Sequence, residues 1–279
     1  MTIVGPGRLG QALGRLLSSA GVPVLYVAAR RLAAARAGVR FIGKGEPTGL
    51  DDPRVTDASV VLLTTADSAY EQVAQRLAAL RRDWSGKVVL HTCGSLPSTV
   101  LRPLQRRGAA IGSVHPFQTI PSPAAGVRNL KGGFWGVEGD APAVKVAMRW
   151  VKALDGIAFH VRPRRKTLYH ASAFLVSPTI VTLMAESVRL LRLAGVPARI
   201  AWPMLGRFAS ETVRNCVSLR GPRALTGPAV RGDWTTIRRH IHALKRASPE
   251  FVPVYQEMLR AMLRLSGKRV PRAVKEAFE

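Results

Sequence analysis

A glycine pattern close to the start of the chain limits the possible folds most strongly. An apolar run at residues 3–4 leads directly into Gly5-Pro6-Gly7-Arg8-Leu9-Gly10, which has the spacing G-x-G-x-x-G. Apolar residues then recur at helical spacing as far as Gly21. A strand, a glycine turn and a helix in this order are typical of a dinucleotide-binding βαβ unit. The alternative is a tight turn between strand and helix that binds no ligand.

Each glycine of the motif has a separate predicted task. Gly5 permits the turn off the strand, Gly7 lets a pyrophosphate approach the backbone, and Gly10 lets the helix pack close to the strand. The helix start offers unpaired N–H groups and about half a positive charge, which favours a phosphate. We therefore predict cofactor contacts from Gly5, Gly7, Arg8, Leu9 and Gly10.

The second predicted strand indicates which dinucleotide is bound. Residues 22–29 form an apolar run that ends at Arg30-Arg31. NAD-binding units of this kind carry an Asp or Glu roughly 20 residues after the glycines, for the ribose hydroxyls. A guanidinium cannot accept a hydrogen bond from a hydroxyl, but it can bind a 2′-phosphate. The pattern therefore predicts NADP, and the alternative is that two arginines fall here by chance in a very basic chain.

The charge of the chain raises the question of nucleic-acid binding. The net charge is +25, and only 9 of the 42 basic residues are lysine, which fits a genomic codon bias. The basic residues are spread along the chain, and their clusters lack interleaved aromatic residues and zinc-finger spacing. We expect a small-molecule substrate and no specific nucleic-acid partner.

Cysteine content and hydropathy indicate the compartment. The two cysteines, Cys93 and Cys216, lie far apart and show no metal-ligand spacing, which is typical of a reducing cytoplasm. The glycine motif begins at residue 5, which leaves no room for a signal peptide. The longest uncharged apolar run, residues 171–185, is shorter than the roughly 20 residues of a membrane span. We therefore expect a cytoplasmic protein with no membrane segment and no metal, and a buried helix at this run.

The order of the apolar patterns predicts two domains. Strand-like and helix-like segments alternate as far as residue 160, which is typical of a doubly wound parallel sheet. From residue 163 only helical patterns follow. We therefore predict a Rossmann dinucleotide-binding domain over residues 1–162 and a helical domain over residues 163–279 for substrate binding and dimerisation. The predicted helices of the second domain are residues 167–193, 198–220, 234–246, 249–265 and 272–278.

Hydroxyl residues follow several of the predicted strands. Ligands of open parallel sheets bind outside the carboxyl ends of the strands. Thr64, Thr65 and Thr92 are therefore predicted to line the nicotinamide and ribose, and Ser95 and Ser113 to line the substrate. The alternative for each is an ordinary loop or helix-cap residue.

Three titratable residues are candidates for proton chemistry. His115 belongs to a His-Pro pair at a strand end, and imidazole titrates near neutral pH. Lys166 and His170 are four residues apart and share one face of the predicted long helix. A lysine buried near a cofactor would have a lowered pKa and could donate a proton to a carbonyl or imine, with His170 orienting it. The alternatives are a structural histidine and a solvated helix start, and we interpret Cys93 as structural.

Four segments together resemble a known group of proteins. Residues 91–95, 112–118, 166–172 and 225–233 resemble bacterial Rossmann-like oxidoreductases with a C-terminal domain of unknown function. The chain is similar, more distantly, to ketopantoate reductase, pyrroline-5-carboxylate reductase and the β-hydroxyacid dehydrogenases. The resemblance implies an N-terminal NADP domain, a helical domain like that of 6-phosphogluconate dehydrogenase, and a homodimer formed through the helices.

The resemblance also implies roles for individual residues. In β-hydroxyacid dehydrogenases a catalytic Lys on the first long interdomain helix is followed one turn later by Asn, and the matching positions are Lys166 and His170. Thr226 and Arg231 are expected at the substrate, where Arg231 would bind a carboxylate. The predicted function is an NADP-dependent oxidoreductase that transfers a hydride between nicotinamide and a small carbonyl, hydroxyl or imine compound. The alternative is a non-catalytic NADP-binding sensor or assembly protein.

Overall fold

The computed structural model describes residues 1–267, and the helix predicted for residues 272–278 lies outside them. The chain divides into two compact units, Met1–Ser177 and a second unit that begins at Pro178. This division falls inside the longest helix. The boundary predicted between residues 162 and 163 instead marks the place where strands give way to helices.

The first unit contains an eight-stranded sheet. Its strands lie in the order β3-β2-β1-β4-β5-β6-β7-β8, so the chain reverses direction across the sheet between β1 and β4. This is the strand order of a doubly wound dinucleotide-binding fold, and the carboxyl edge at the reversal is where such folds bind ligands. The strands are β1 Thr2–Val4, β2 Tyr26–Ala29, β3 Glu46–Gly49, β4 Val60–Leu63, β5 Val88–His91, β6 Ala110–Pro116, β7 Phe134–Gly139 and β8 Ile157–His160.

Eleven α-helices of the described residues accompany the sheet or follow it. Those of the first unit are α1 Arg8–Ser19, α2 Leu32–Ile42, α3 Tyr70–Leu80, α4 Arg102–Gln105, α5 Pro123–Asn129 and α6 Ala141–Ala153. The others are α7 Lys166–Leu193, which runs from the first unit into the second, then α8 Ala198–Ser218, α9 Pro228–Arg231, α10 Trp234–Ala247 and α11 Val252–Leu265.

The sheet differs from the prediction in one strand direction and one strand. β7 pairs with β6 in antiparallel orientation, and this register sets Ser113 directly opposite Glu138. The apolar pattern predicts both strands but carries no information about direction. The edge strand β3 was not predicted, because its sequence Glu-Pro-Thr-Gly has no apolar run.

Strand alternation divides the apolar core between the two faces of the sheet. Ile3 and Leu62 belong to one buried cluster with Trp135, whereas their sequence neighbours Val4 and Leu63 belong to the other. Each fully buried large side chain contributes about 1.5–3 kcal/mol. The sheet is therefore buried on both faces, and ligands can reach it only at its edges and strand ends.

The second unit has a smaller core, in which α9, α10 and α11 enclose a buried cluster that includes Ile237, Ile241 and Leu259. The buried helix predicted at residues 171–185 is wrong for the single chain, because most of its apolar side chains are exposed. By length and composition alone, Pro163–Leu193 could span a membrane, and only 6% of its most apolar window is buried.

Candidate functional site

Two of the motif glycines do what their positions predict. Gly5 has a φ of +90°, which an L side chain rarely adopts, and its carbonyl accepts hydrogen bonds from Gly7 N at 2.7 Å and from Thr64 Oγ1 at 2.6 Å. A Cβ on Gly10 would lie 2.7 Å from Gly5 O and in contact with Thr64 Oγ1. Helix α1 therefore approaches the ends of β1 and β4 as closely as glycine allows.

The third glycine leaves an open surface at the start of α1. Gly7 is the N-cap of this helix, with no side-chain cap, and a Cβ built on it would meet none of the described residues within 4 Å. The first N–H groups of a helix have no intrahelical acceptor. An open backbone cradle beneath a helix N-terminus fits a pyrophosphate group.

The predicted 2′-phosphate residues lie at the next strand along the sheet. Arg30 and Arg31 are exposed between β2 and α2, and Arg31 is the N-cap of α2.

Thr65 follows β4, where its methyl group lies 2.8 Å from the position of a Cβ on Gly5. Its hydroxyl is buried and has no hydrogen-bond partner within residues 1–267.

The other two threonines have protein partners for their hydroxyls. Thr64 Oγ1 bonds to Gly5 O, as described above. Thr92 Oγ1 lies 3.2 Å from Tyr70 Oη and 3.4 Å from Leu63 O. Both side chains are buried and bonded to neighbouring protein groups, so they help to hold the loops that follow β4 and β5. The cofactor contacts predicted for them stay a prediction.

Lys166 is buried and fully bonded. It is the first residue of α7, and its side chain is only 2% exposed. Its amine donates hydrogen bonds to Cys93 O at 2.8 Å and to Ser113 Oγ, and it lies 3.5 Å from Glu138 Oε1. Burial lowers the pKa of Lys166, and the Glu138 carboxylate acts in the opposite direction. The three donors of the ammonium group thus each face a protein acceptor.

Glu138 is held from its other side by Ser98. Its Oε1 accepts from Ser98 N at 2.7 Å, and its Oε2 accepts from Ser98 Oγ at 2.8 Å. A cation at the first position of a helix opposes the helix dipole, so Lys166 needs a nearby anion. A buried ion pair persists only when its remaining hydrogen-bonding groups are satisfied, and here both carboxylate oxygens are.

The network fixes the loop that follows β5. His91, at the end of β5, accepts from Cys93 N through its Nδ1 at 3.1 Å, while Lys166 bonds to the carbonyl of the same residue. Glu138 holds Ser98 at the far end of the loop. Burial, and then the charge of Lys166, lower the pKa of His91 to about 3, so this imidazole is neutral. Gly94 is therefore presented by a loop with rigid anchors on both sides.

Three aromatic or imidazole side chains meet near Gly94. A Cβ on this residue would lie 2.7 Å from His115 Nε2 and 2.6 Å from His170 Cδ2. The rings of His115 and His170 are 5.9 Å apart, and His115 Nδ1 lies 2.9 Å from Tyr169 Oη. Strands β1, β4, β5 and β6 all run parallel. Their carboxyl ends therefore meet at one edge of the sheet, where both the glycine loop and this cluster lie.

The structure brings several predicted site residues together within the first unit. His115, His170, Lys166 and Ser113 share one neighbourhood. Ser95 lies in the anchored loop, where its Oγ contacts Cys93 Sγ at 3.2 Å. Exposed Thr226 and Arg231 belong to the second unit, so their predicted substrate contacts stay a prediction.

Three residues that the sequence analysis missed complete the site: Tyr169, Glu138 and Gly94. Tyr169 lies in the sequence between Lys166 and His170, but its position on the predicted helix does not indicate that it contacts His115 on β6. Glu138 is an acidic residue in a strand whose neighbours Trp135 and Val137 are buried, and this was a usable signal. A charge within a buried strand needs a buried counter-charge.

The fold and the glycine loop define a Rossmann-type nucleotide-binding architecture, and family models agree with this assignment. Residues 1–116 match a Rossmann-like domain, and residues 133–262 match a domain of unknown function, DUF2520. The chain thus combines a Rossmann-like domain with a C-terminal DUF2520 domain. None of the curated proteins matches the sequence significantly.

Solved structures share the fold over nearly the full chain. The candidate NADP oxidoreductase BF3122 from Bacteroides fragilis is 22% identical, with a TM-score of 0.77, and the match covers 94% of this chain and 97% of that one. Protein TM1727 from Thermotoga maritima is 21% identical, with a TM-score of 0.72 and coverage of 95% and 98%. A reductive aminase from Aspergillus terreus in complex with NADPH is 16% identical, with a TM-score of 0.63 and coverage of 99% and 88%.

Proposed function

We propose that this protein is an NADP-dependent reductase that acts on a small compound with a C=O or C=N bond. The observation that carries the proposal is the arrangement at one edge of the sheet. An open phosphate cradle at Gly7, after β1, and an imidazole–phenol cluster at Gly94, after β5, lie at the carboxyl ends of two strands that only β4 separates. Structural neighbours that include an NADPH-bound reductive aminase and a pyrroline-5-carboxylate reductase support this class of reaction.

The proposal divides the work between the cofactor and the protein. Bound NADPH would supply the hydride, and the chain supplies binding, orientation and electrostatics. The start of α1 would bind the pyrophosphate, and Arg30 with Arg31 would bind the 2′-phosphate. His115 and His170 would face the reacting bond, above the loop that Lys166 and Glu138 hold in place. We further propose that the substrate carries a carboxylate, the group that Arg231 is predicted to bind.

We expect NADPH to bind about 10- to 1000-fold more tightly than NADH. One or two charge-assisted bonds from Arg30 and Arg31, at about 1.5–3 kcal/mol each, account for this range. Fluorescence titration of the two nucleotides measures the ratio directly.

The double variant Arg30→Ala/Arg31→Ala should bring the two dissociation constants close together. Arg40→Ala is the matched control, because this arginine is also exposed but lies in the last turn of α2. Equal dissociation constants for the two nucleotides in the unmodified protein would remove the basis for NADP preference.

We also propose that the protein is a homodimer formed through α7 and α8. Apolar side chains on these helices are exposed in the single chain, among them Leu175 and Val181 on α7 and Phe208 and Val217, at 69% and 74% exposure, on α8. Exposed apolar surface of this extent marks an interface. Light scattering at micromolar concentration should give twice the 30.2 kDa chain mass.

The variant Phe208→Asp should shift this mass towards the monomer. Gln72→Asp places the same charge at an exposed position of α3, outside the proposed interface, and should leave the dimer intact. A monomer for the unmodified protein would refute the proposed interface.

A further inference from the structure

The two ring nitrogens of His115 face different surroundings. Nδ1 lies 2.9 Å from Tyr169 Oη. Nε2 lies on the Gly94 side, 2.7 Å from the position that a Cβ on that glycine would occupy. Within residues 1–267, Nε2 makes no hydrogen bond, and it is not among the buried unpartnered atoms. One nitrogen is thus held by the protein, and the other is free for a ligand.

The surroundings of Tyr169 indicate the direction of the bond to His115. The Tyr169 hydroxyl lies over Gly136, where a Cβ would come within 2.9 Å of Oη. Within residues 1–267, the only hydrogen bond of Oη is the one to His115 Nδ1. Burial raises the pKa of Tyr169 to about 12, so the phenol keeps its proton near pH 7. Between two neutral partners, the phenol O–H is the stronger donor and the imidazole nitrogen is the stronger acceptor, so Tyr169 donates to Nδ1.

The charge state of His115 follows from its environment. Burial lowers the pKa of His115 to about 3, and Lys166 and His170 contribute in the same direction. The ring is therefore neutral near pH 7. A neutral imidazole whose Nδ1 accepts a hydrogen bond carries its only proton on Nε2.

We propose that Tyr169 is a positioning residue that holds His115 in the Nε2–H form, and that this N–H donates a hydrogen bond to the reacting oxygen or nitrogen of the substrate. The inference rests on the proposed reductase function and specifies its polarising group. A neutral imidazole with a lowered pKa can polarise a carbonyl in this way. A donor fixed in advance stabilises the negative charge that develops on the heteroatom.

The tautomer can be measured without a substrate. In protein labelled with ¹⁵N-histidine, the His115 signals should show a protonated Nε2 and an unprotonated, hydrogen-bonded Nδ1. Tyr169→Phe keeps the ring but removes the hydroxyl, so we expect a mixture of the two tautomers. Gly136→Ala is a second route to the same result, because its methyl group displaces Oη.

The chain offers a matched control for the tyrosine variant. Tyr255 Oη lies 2.9 Å from His240 Nδ1 in the second unit, so Tyr255→Phe breaks an equivalent pair elsewhere. It should leave the His115 signals unchanged. A proton on His115 Nδ1 in the unmodified protein, or an unchanged tautomer in folded Tyr169→Phe and Gly136→Ala, would overturn the positioning role.

Kinetics test the contact with the substrate. We would screen 2-oxo acids and cyclic imines with NADPH and compare variants on the best compound. His115→Ala should lower kcat about 10²–10³-fold, the usual cost of losing one such donor. Tyr169→Phe should lower kcat by less, with the dissociation constant of NADPH unchanged. An unchanged kcat in His115→Ala would overturn the proposed donor, whereas failure of every compound would count against the reductase function and leave the tautomer result standing.

Discussion

Gly7→Val should abolish NADPH binding and leave the free energy of unfolding nearly unchanged. Gly7 has a φ of −74°, which valine can adopt, and a Cβ there meets none of the described residues within 4 Å. The side chain would instead occupy the place of the pyrophosphate. We expect the affinity to fall at least about 100-fold, equivalent to about 2.7 kcal/mol. Fluorescence titration with NADPH and urea denaturation together measure the two effects.

Gly10→Ala provides the contrasting variant in the same loop. Its methyl group would lie 2.7 Å from Gly5 O and against Thr64 Oγ1, so the backbone or the threonine must move. Overpacking of this kind costs about 1–3 kcal/mol of stability. If Gly7→Val binds NADPH as tightly as the unmodified protein, the loop is a structural turn and not a phosphate site.

Lys166→Met should lower the free energy of unfolding by about 3–5 kcal/mol. The lysine is 2% exposed and the paired Glu138 is 4% exposed, so loss of the cation leaves a buried carboxylate without its counter-charge. The variant also removes the hydrogen bond to Cys93 O, which anchors the loop that carries Gly94. Denaturant unfolding monitored by circular dichroism gives the loss directly.

Two comparisons separate this effect from a general cost of mutation. Arg76→Met breaks an exposed pair with Asp51, which should cost less than about 1 kcal/mol. Glu138→Gln added to Lys166→Met removes the stranded charge and should restore at least about half of the lost stability. If Lys166→Met keeps its stability but loses 10²–10⁴-fold in turnover, the proton-donor role predicted from the sequence would account for the lysine better.

The part of the site that depends on local sequence could be predicted. The glycine loop is encoded within six residues, and the structure gives Gly5 and Gly10 the turn and the close approach that the motif implies. His115, Lys166 and His170 were singled out by residue type and spacing, and they lie in one neighbourhood. The doubly wound sheet was predicted because buried parallel strands are encoded as continuous apolar runs.

The remaining part depends on contacts between distant segments. The partner of Lys166 is Glu138, brought opposite Ser113 by the antiparallel register of β7, and no local pattern encodes that register. Tyr169 belongs to the site because its hydroxyl contacts His115 on β6, which is 54 positions away in the sequence. The sequence suggested a buried Lys166, but it gave no indication that the amine faces Cys93 O, Ser113 Oγ and Glu138.

A crystal structure with NADP⁺ would test the central claim most directly. We expect pyrophosphate oxygens at hydrogen-bond distance, about 3 Å, from backbone N–H groups at the start of α1. The nicotinamide should lie beside Gly94, with its C4 within about 8 Å of His115 Nε2, a distance that a small substrate and modest closure can bridge. A dinucleotide bound elsewhere, or a nicotinamide turned away from the His115 cluster, would contradict the proposed reductase site.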